Sequence, residues 1–187
     1  MRVLVGCEES AKVRDAFRKL GHDAYSNDIL GTRGDSAWHI TGDVFKAIKS
    51  RGPWDLGIFF PPCTHVCVSG ARWWPNKVAE KKQALEFMRD LMESNIQMIA
   101  MENPIGAFST YWRKPDQIIQ PWQFGHPETK ATCLWLKNLP PLVPTDVLPP
   151  PYHARVHRMA PGPNRARDRS ETYQGIADAM AQQWGTP

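Results

Sequence analysis

No stretch of the 187-residue chain approaches the ~20 apolar residues that a helix needs to cross a bilayer, so a helical membrane protein is not expected. Cysteine is scarce, at four residues. The amino-terminal MRVLVGCEES also lacks the basic, apolar, small-residue progression of a secretory signal. Together these predict reduced thiols in a cytoplasmic protein rather than a disulfide scaffold. No internal repeat is present, which excludes a solenoid. Acidic residues are nearly missing from 152–169, where Arg155, Arg158, Arg165, Arg167 and Arg169 face only Asp168. That stretch alone matches the net charge of the whole chain, +4, and a local excess of this kind is the footprint of a polyanion partner or of a solubilising tail.

What is present is an ordinary globular composition. Hydrophobic residues make up 42% and charged residues 22%, which excludes a disordered chain. The length predicts one domain spanning 1–187. Val3–Val5 reads as a buried strand, and Val13, Ala16, Phe17 and Leu20 then recur at helical spacing behind a candidate Ser10 cap. Strands are predicted for HDAYSND, HITGDV, WDLGIFF and IQMIAM, with a short helix at 45–50 and a long one opening at Pro75. Alternating strands and helices predict an α/β protein with a mostly parallel sheet and helices on both faces. Further on, KATCLWL reads as a strand and 172–184 as a closing helix capped by Ser170. The segment 138–164 holds eight prolines and no periodicity, which predicts an extended surface connection.

In a parallel α/β sheet, ligands bind beyond the carboxyl ends of the strands. Each predicted strand of the first hundred residues ends in a polar or reactive group: Gly6-Cys7-Glu8-Glu9, Asp28, Asp43, Cys63 and Glu102. Cys63 follows two prolines that stiffen the strand exit, a position suited to a nucleophile but also open to an inert packed thiol. Glu102 lies at the tip of the neighbouring strand, where partial desolvation would let a carboxyl donate a proton near neutrality. Asp28 and Asp43 suit the hydroxyls of a nucleoside. The spacing Cys63-x-His65-x-Cys67 invites a metal, but structural zinc needs four clustered ligands and the remaining candidates are scattered, so no metal is expected. Trp73-Trp74 fit either stacking on a base or burial against the long helix.

These residues resemble the S-adenosylmethionine-dependent DNA cytosine-5 methyltransferases, in a short form. Pro62-Cys63 matches the family's nucleophile motif and Ser69-Gly70 extends it, while Glu102-Asn103 matches its Glu-Asn-Val motif with Pro104 in place of valine. Asp28 matches the acidic ribose ligand, Asp43-Val44 the acid beside the adenine, and the glycine of TYQGIADAM, Gly175, the last motif. The resemblance implies a Rossmann-like methyltransferase fold. It places the cofactor against Gly6, Cys7, Asp28, Asp43, Val44, Pro61 and Gly175. Cys63 and Glu102 become the catalytic pair, and the DNA side is formed by Pro62, Ser69, Asn103, Lys130 and Thr132, with Arg155, Arg158, Arg165 and Arg167 on phosphates.

The chain departs from that family in three places. The first loop, GCEES, is not glycine-rich; the paired arginines of a later strand are replaced by Lys130 and Thr132; and no separate target-recognition domain is present. The expected activity is methylation of cytosine C5 in DNA, with specificity that is short or supplied by a protein partner. The alternatives are methylation of a free cytosine nucleotide, and an inactive methyltransferase fold that binds DNA or a partner. A short enzyme of this kind would suit a virus or mobile element.

Overall fold

The computed structural model describes residues 1–186, His157 by its backbone alone. Its centre is a seven-stranded sheet built from β1 (Arg2–Gly6), β2 (Asp23–Asp28), β3 (His39–Thr41), β4 (Leu56–Phe59), β5 (Met98–Pro104), β6 (Gln117–Ile119) and β7 (Thr132–Lys137). The strand order is β3-β2-β1-β4-β5-β7-β6. The first five strands are mutually parallel, and β7 runs antiparallel to both β5 and β6. The order reverses between β1 and β4, as it does at the ligand-binding crevice of doubly wound sheets. The architecture is α/β, mostly parallel, and consistent with a Rossmann-like arrangement.

Between the strands run α1 (Lys12–Lys19), α2 (Val44–Arg51), α3 (Val78–Met92) and α4 (Phe108–Tyr111), followed after β7 by α5 (Arg155–Arg158), α6 (Arg165–Ser170) and α7 (Gln174–Trp184). Alternate strand side chains divide the core in two. Val3, Val5, Leu56, Ile58, Leu134 and Leu136 pack with α1 and α7, whereas Leu4, Phe59, Ile99, Met101 and Trp135 pack with α2 and α3. Strands covered on both faces must be apolar throughout, which is why β1 and β4 read as continuous hydrophobic runs.

Several elements differ from the sequence reading, each for a local reason. Glu8 shares the cap of α1 with Ser10: its carboxylate accepts from the backbone N–H groups of Val13 at 2.8 Å and Arg14 at 3.3 Å, while the Ser10 hydroxyl takes only the Lys12 N–H at 3.4 Å. Residues Val68–Asn76 form a 3-10 stretch that contains Pro75, so α3 begins at Val78 instead of at the proline. Ser170 closes α6, donating its hydroxyl proton to the Arg167 carbonyl, and Tyr173 stands at the start of α7 without a side-chain cap. The proline-rich segment is not free. Gln117 brackets Leu142, Gln183 brackets Val143, and the Trp184 indole donates to the Pro140 carbonyl at 2.9 Å. Side-chain amides thus replace the ladder that proline cannot join. No helix among the described residues is long and apolar enough to cross a membrane.

Candidate active site

The carboxyl ends of β1, β2, β4 and β5 form one rim. At its first corner, Gly6 lies where any side chain would collide, since a Cβ would stand 2.6 Å from Phe59 Cδ1 and 2.9 Å from Val44 Cγ2. Cys7 follows in the left-handed region at φ 60. Its thiol is pushed up to about 12, chiefly by burial and then by the carboxylates of Asp28 and Asp43. The register puts the three residues at adjacent strand ends, Gly6 opposite Asn27 and Asp28 opposite Thr41. Asp28 receives the Leu30 N–H at 2.9 Å, and Asp43 caps α2 through the Lys46 N–H at 2.9 Å. Val44 is buried behind them.

Glu8 decides what this corner can hold. In dinucleotide-binding sheets, the N-terminus of the first helix receives the pyrophosphate. Here that N-terminus already holds an internal carboxylate, which is 5% exposed and further bonded by the Ser10 hydroxyl. Burial lifts the Glu8 carboxyl to about 7, against the lowering effect of these bonds and of Arg14. A phosphate has no place left at α1. The corner thus presents the two carboxylates of Asp28 and Asp43 beside a helix end that is already occupied.

The second corner joins β4 to β5. Asn103, 2% exposed, donates its side-chain amide to the Pro61 carbonyl at 2.8 Å. This bond ties the exit of one strand to the tip of the next. Beyond it, the Cys67 and Gly106 backbones pair, and the Val68 N–H donates to the Ile105 carbonyl at 3.1 Å. Gly106 has no room for a Cβ because the Val66 carbonyl lies against it. The loop from Pro61 to Val68 is therefore clamped along the end of β5, with Pro61 buried, Pro62 exposed and Cys63 half-buried. Ser69 is exposed, its hydroxyl 3.1 Å from Cys67 Sγ.

Cys63 and Glu102 lie within electrostatic reach of one another. The Cys63 thiol is pushed up to about 11 by burial, then by Cys67 and Glu102, while Lys130 opposes the rise. The Glu102 carboxyl is also raised, by burial first, with Lys130 and Thr132 opposing. Both groups thus carry their protons more readily than in water. They approach the rim from different sides. Cys63 packs against the core beneath α2 and α3, whereas Glu102 opens into a narrow crevice lined by Lys130, Thr132, Tyr173, Ile176 and Met180. That crevice has room for little more than one water molecule, too little for a planar base.

Gly175 lies on the same side, with the Phe124 carbonyl filling the space of its absent side chain and its N–H donated to His126 Nε2 at 3.0 Å. The Tyr173 hydroxyl donates to Glu128 at 2.6 Å, and Arg155 pairs with Glu128 at 2.9 Å. Neither Glu128 nor Tyr173 is marked by any spacing in the sequence. Two of the remaining arginines are also held within the chain. Arg167 pairs with Glu9 at 3.1 Å, and Arg165 donates to the Met159 carbonyl at 2.9 Å. Arg158 is exposed. The rim therefore gathers Gly6, Cys7, Asp28, Asp43 and Val44 at one corner and Pro61, Pro62, Cys63, Glu102 and Asn103 at the other. Lys130 and Thr132 lie beside Glu102, whereas Arg155 and Arg167 are engaged with carboxylates of the chain itself. Among the described residues no cluster of three or more His, Cys, Asp or Glu could hold a metal ion. No protein-family model matches the chain, and no curated protein shows significant similarity to it.

Proposed function

We propose that the protein is a Rossmann-like, S-adenosylmethionine-dependent methyltransferase that acts on C5 of cytosine in DNA. One observation carries the reading: the Asn103 amide on the Pro61 carbonyl at 2.8 Å, which ties the loop that bears Cys63 to the tip of the strand that bears Glu102. The acidic corner of Asp28 and Asp43, with α1 closed to phosphate by Glu8, supports the choice of cofactor. When bound, that cofactor supplies an electrophilic methyl group.

The residues of the chain divide the remaining work. Glu102, whose carboxyl burial shifts upward, hydrogen-bonds and protonates N3 of the pyrimidine, which neutralises negative charge as it develops in the ring. Cys63 loses its proton to a base and its sulfur adds to C6, forming one carbon–sulfur bond and making C5 nucleophilic. Once C5 carries the methyl group, a base removes the C5 proton, the carbon–sulfur bond breaks to release the cysteine sulfur as thiolate, and N3 returns its proton to Glu102, restoring the ring and the carboxyl. A thiol raised to about 11 is a poor nucleophile at rest, so the step requires the charge relief that Lys130 begins.

A second reading, methylation of a free cytosine nucleotide, is favoured by the internal pairing of Arg155 and Arg167, which removes two cations from phosphate contact. One assay separates the readings. The protein is incubated with methyl-labelled S-adenosylmethionine and either cytosine-containing DNA or deoxycytidine monophosphate. Label in DNA, abolished by C63A with cofactor affinity retained, is the expected result, together with a covalent adduct on DNA carrying 5-fluorocytosine. Label confined to the nucleotide supports the second reading, and transfer by C63A at a comparable rate overturns the nucleophile assignment.

A further inference from the structure

Arg155 and Arg167 are paired with Glu128 and Glu9, while Arg158, Arg165 and Arg169 have no acidic partner among the described residues and lie far along the chain from Cys63, so a polyanion surface close to Cys63 is sought among other unpaired cations. The 3-10 stretch Val68–Asn76 and the first turn of α3 provide one. Trp73 is 54% exposed, with Val68 at 56% and Val78 at 68% in the same run. Arg72 lies over the Trp73 ring at 4.9 Å, and Lys81 over the Trp74 ring at 3.7 Å. The ion pairs of α3 join Lys82 to Glu86 and Arg89 to Asp90 and Glu93. Among the described residues, Arg72, Lys77 and Lys81 therefore have no acidic partner.

We infer that residues 68–82 form a stacking platform for single-stranded DNA, with an unpaired base lying on Trp73 and neighbouring phosphates taken by Arg72, Lys77 and Lys81. The inference deepens, and rests on, the reading of Cys63 as a cytosine nucleophile. The platform begins five residues beyond Cys63 and is anchored to the end of β5 by the Val68–Ile105 hydrogen bond. A strand lying along it leads to the rim. Charge complementarity selects a polyanion, and the half-exposed indole selects among polyanions. A duplex hides the faces of its bases in the stack, whereas every base of a single strand offers a π-face. A single strand also removes the cost of extruding the target base from a duplex.

The test measures fluorescence anisotropy with a labelled oligonucleotide of about a dozen nucleotides, single-stranded or annealed to its complement. The single strand is expected to bind more tightly than the duplex. W73A is expected to weaken single-strand binding by about five- to one-hundred-fold, and W73F to restore most of it. R72Q and K77Q should each flatten the slope of log affinity against log salt by about 0.7, while R155Q, whose guanidinium is held by Glu128, leaves it unchanged. Circular dichroism checks that W73A remains folded. Duplex binding as tight as single-strand binding, or undiminished affinity in W73A, overturns the platform. Methyl transfer to deoxycytidine monophosphate is read in parallel. If no substrate is methylated while W73A still loses single-strand affinity, the cytosine-5 reading falls and the platform stands.

Discussion

Asn103 shows how a single buried amide can organise a site without touching a substrate. Its side chain crosses from β5 to the Pro61 carbonyl, and Pro61 cannot return the favour because proline has no N–H. The carbonyl thus depends on this one donor for the bond that positions Pro62 and Cys63. N103A leaves a buried acceptor unsatisfied, a loss of about 1–3 kcal/mol. For a chain of this size that corresponds to a fall in melting temperature of roughly 2–4 °C per kcal/mol, measured by thermal denaturation. Activity should fall further than stability does, because the displaced loop carries the sulfur; N103A with wild-type turnover would show that the tie does not position Cys63. The Glu-Asn pair was legible in the sequence as a motif at a strand tip, but the role of its second member was not. A sequence shows that an amide follows the acid, and only the register of β4 on β5 shows which carbonyl it reaches.

Elements with strong local signals were legible. Strands β1, β4 and β5 are apolar because both faces are covered, and their polar ends mark the rim. Two short elements, α4 and β6, were not, since four and three residues carry no usable periodicity. The cap of α1 was legible only in part: Ser10 takes the Lys12 N–H, but Ala11 adopts φ 67 and Glu8 supplies the other two bonds. That sharing has a consequence for pH. The Glu8 carboxyl is raised from 4.5 to about 7 in the folded protein, so below pH 4.5 it is protonated in both states. Between those values the unfolded chain ionises while the folded one keeps its proton, and stability falls as pH rises. Above pH 7 the full penalty, roughly 3 kcal/mol, is present. E8Q cannot ionise and still offers a carbonyl oxygen to α1. Chemical denaturation at about pH 4 and pH 8 should therefore shift the stability difference toward E8Q by that amount. An equal difference at both values would show that Glu8 ionises alike in the two states.

At the scale of the whole molecule, charge that looks unbalanced along the chain is partly balanced in space. Arg167 meets Glu9, which is 158 positions away, and Arg33 bridges Glu9 at 2.9 Å and Glu171 at 2.8 Å, with Lys12 also on Glu171. Counting charges in a window of twenty residues cannot see partners at such separations, which is why 152–169 read as a free basic patch. The network fastens α6 and the segment before α7 over the loop that follows β1, beside the acidic corner. Each pair is partly solvated and contributes at most about 1 kcal/mol, so the network governs local opening more than global stability. Arg33 is its hub, since its guanidinium alone contacts both carboxylates from outside the strap. R33Q should leave the melting temperature within a degree or two of wild type. Trypsin cleavage at Arg165, Arg167 and Arg169 should accelerate, and raising the salt concentration should accelerate wild-type cleavage toward the rate of R33Q, because screening acts on the same pairs. A strap held by packing instead would be cut at one rate in both proteins, whatever the salt.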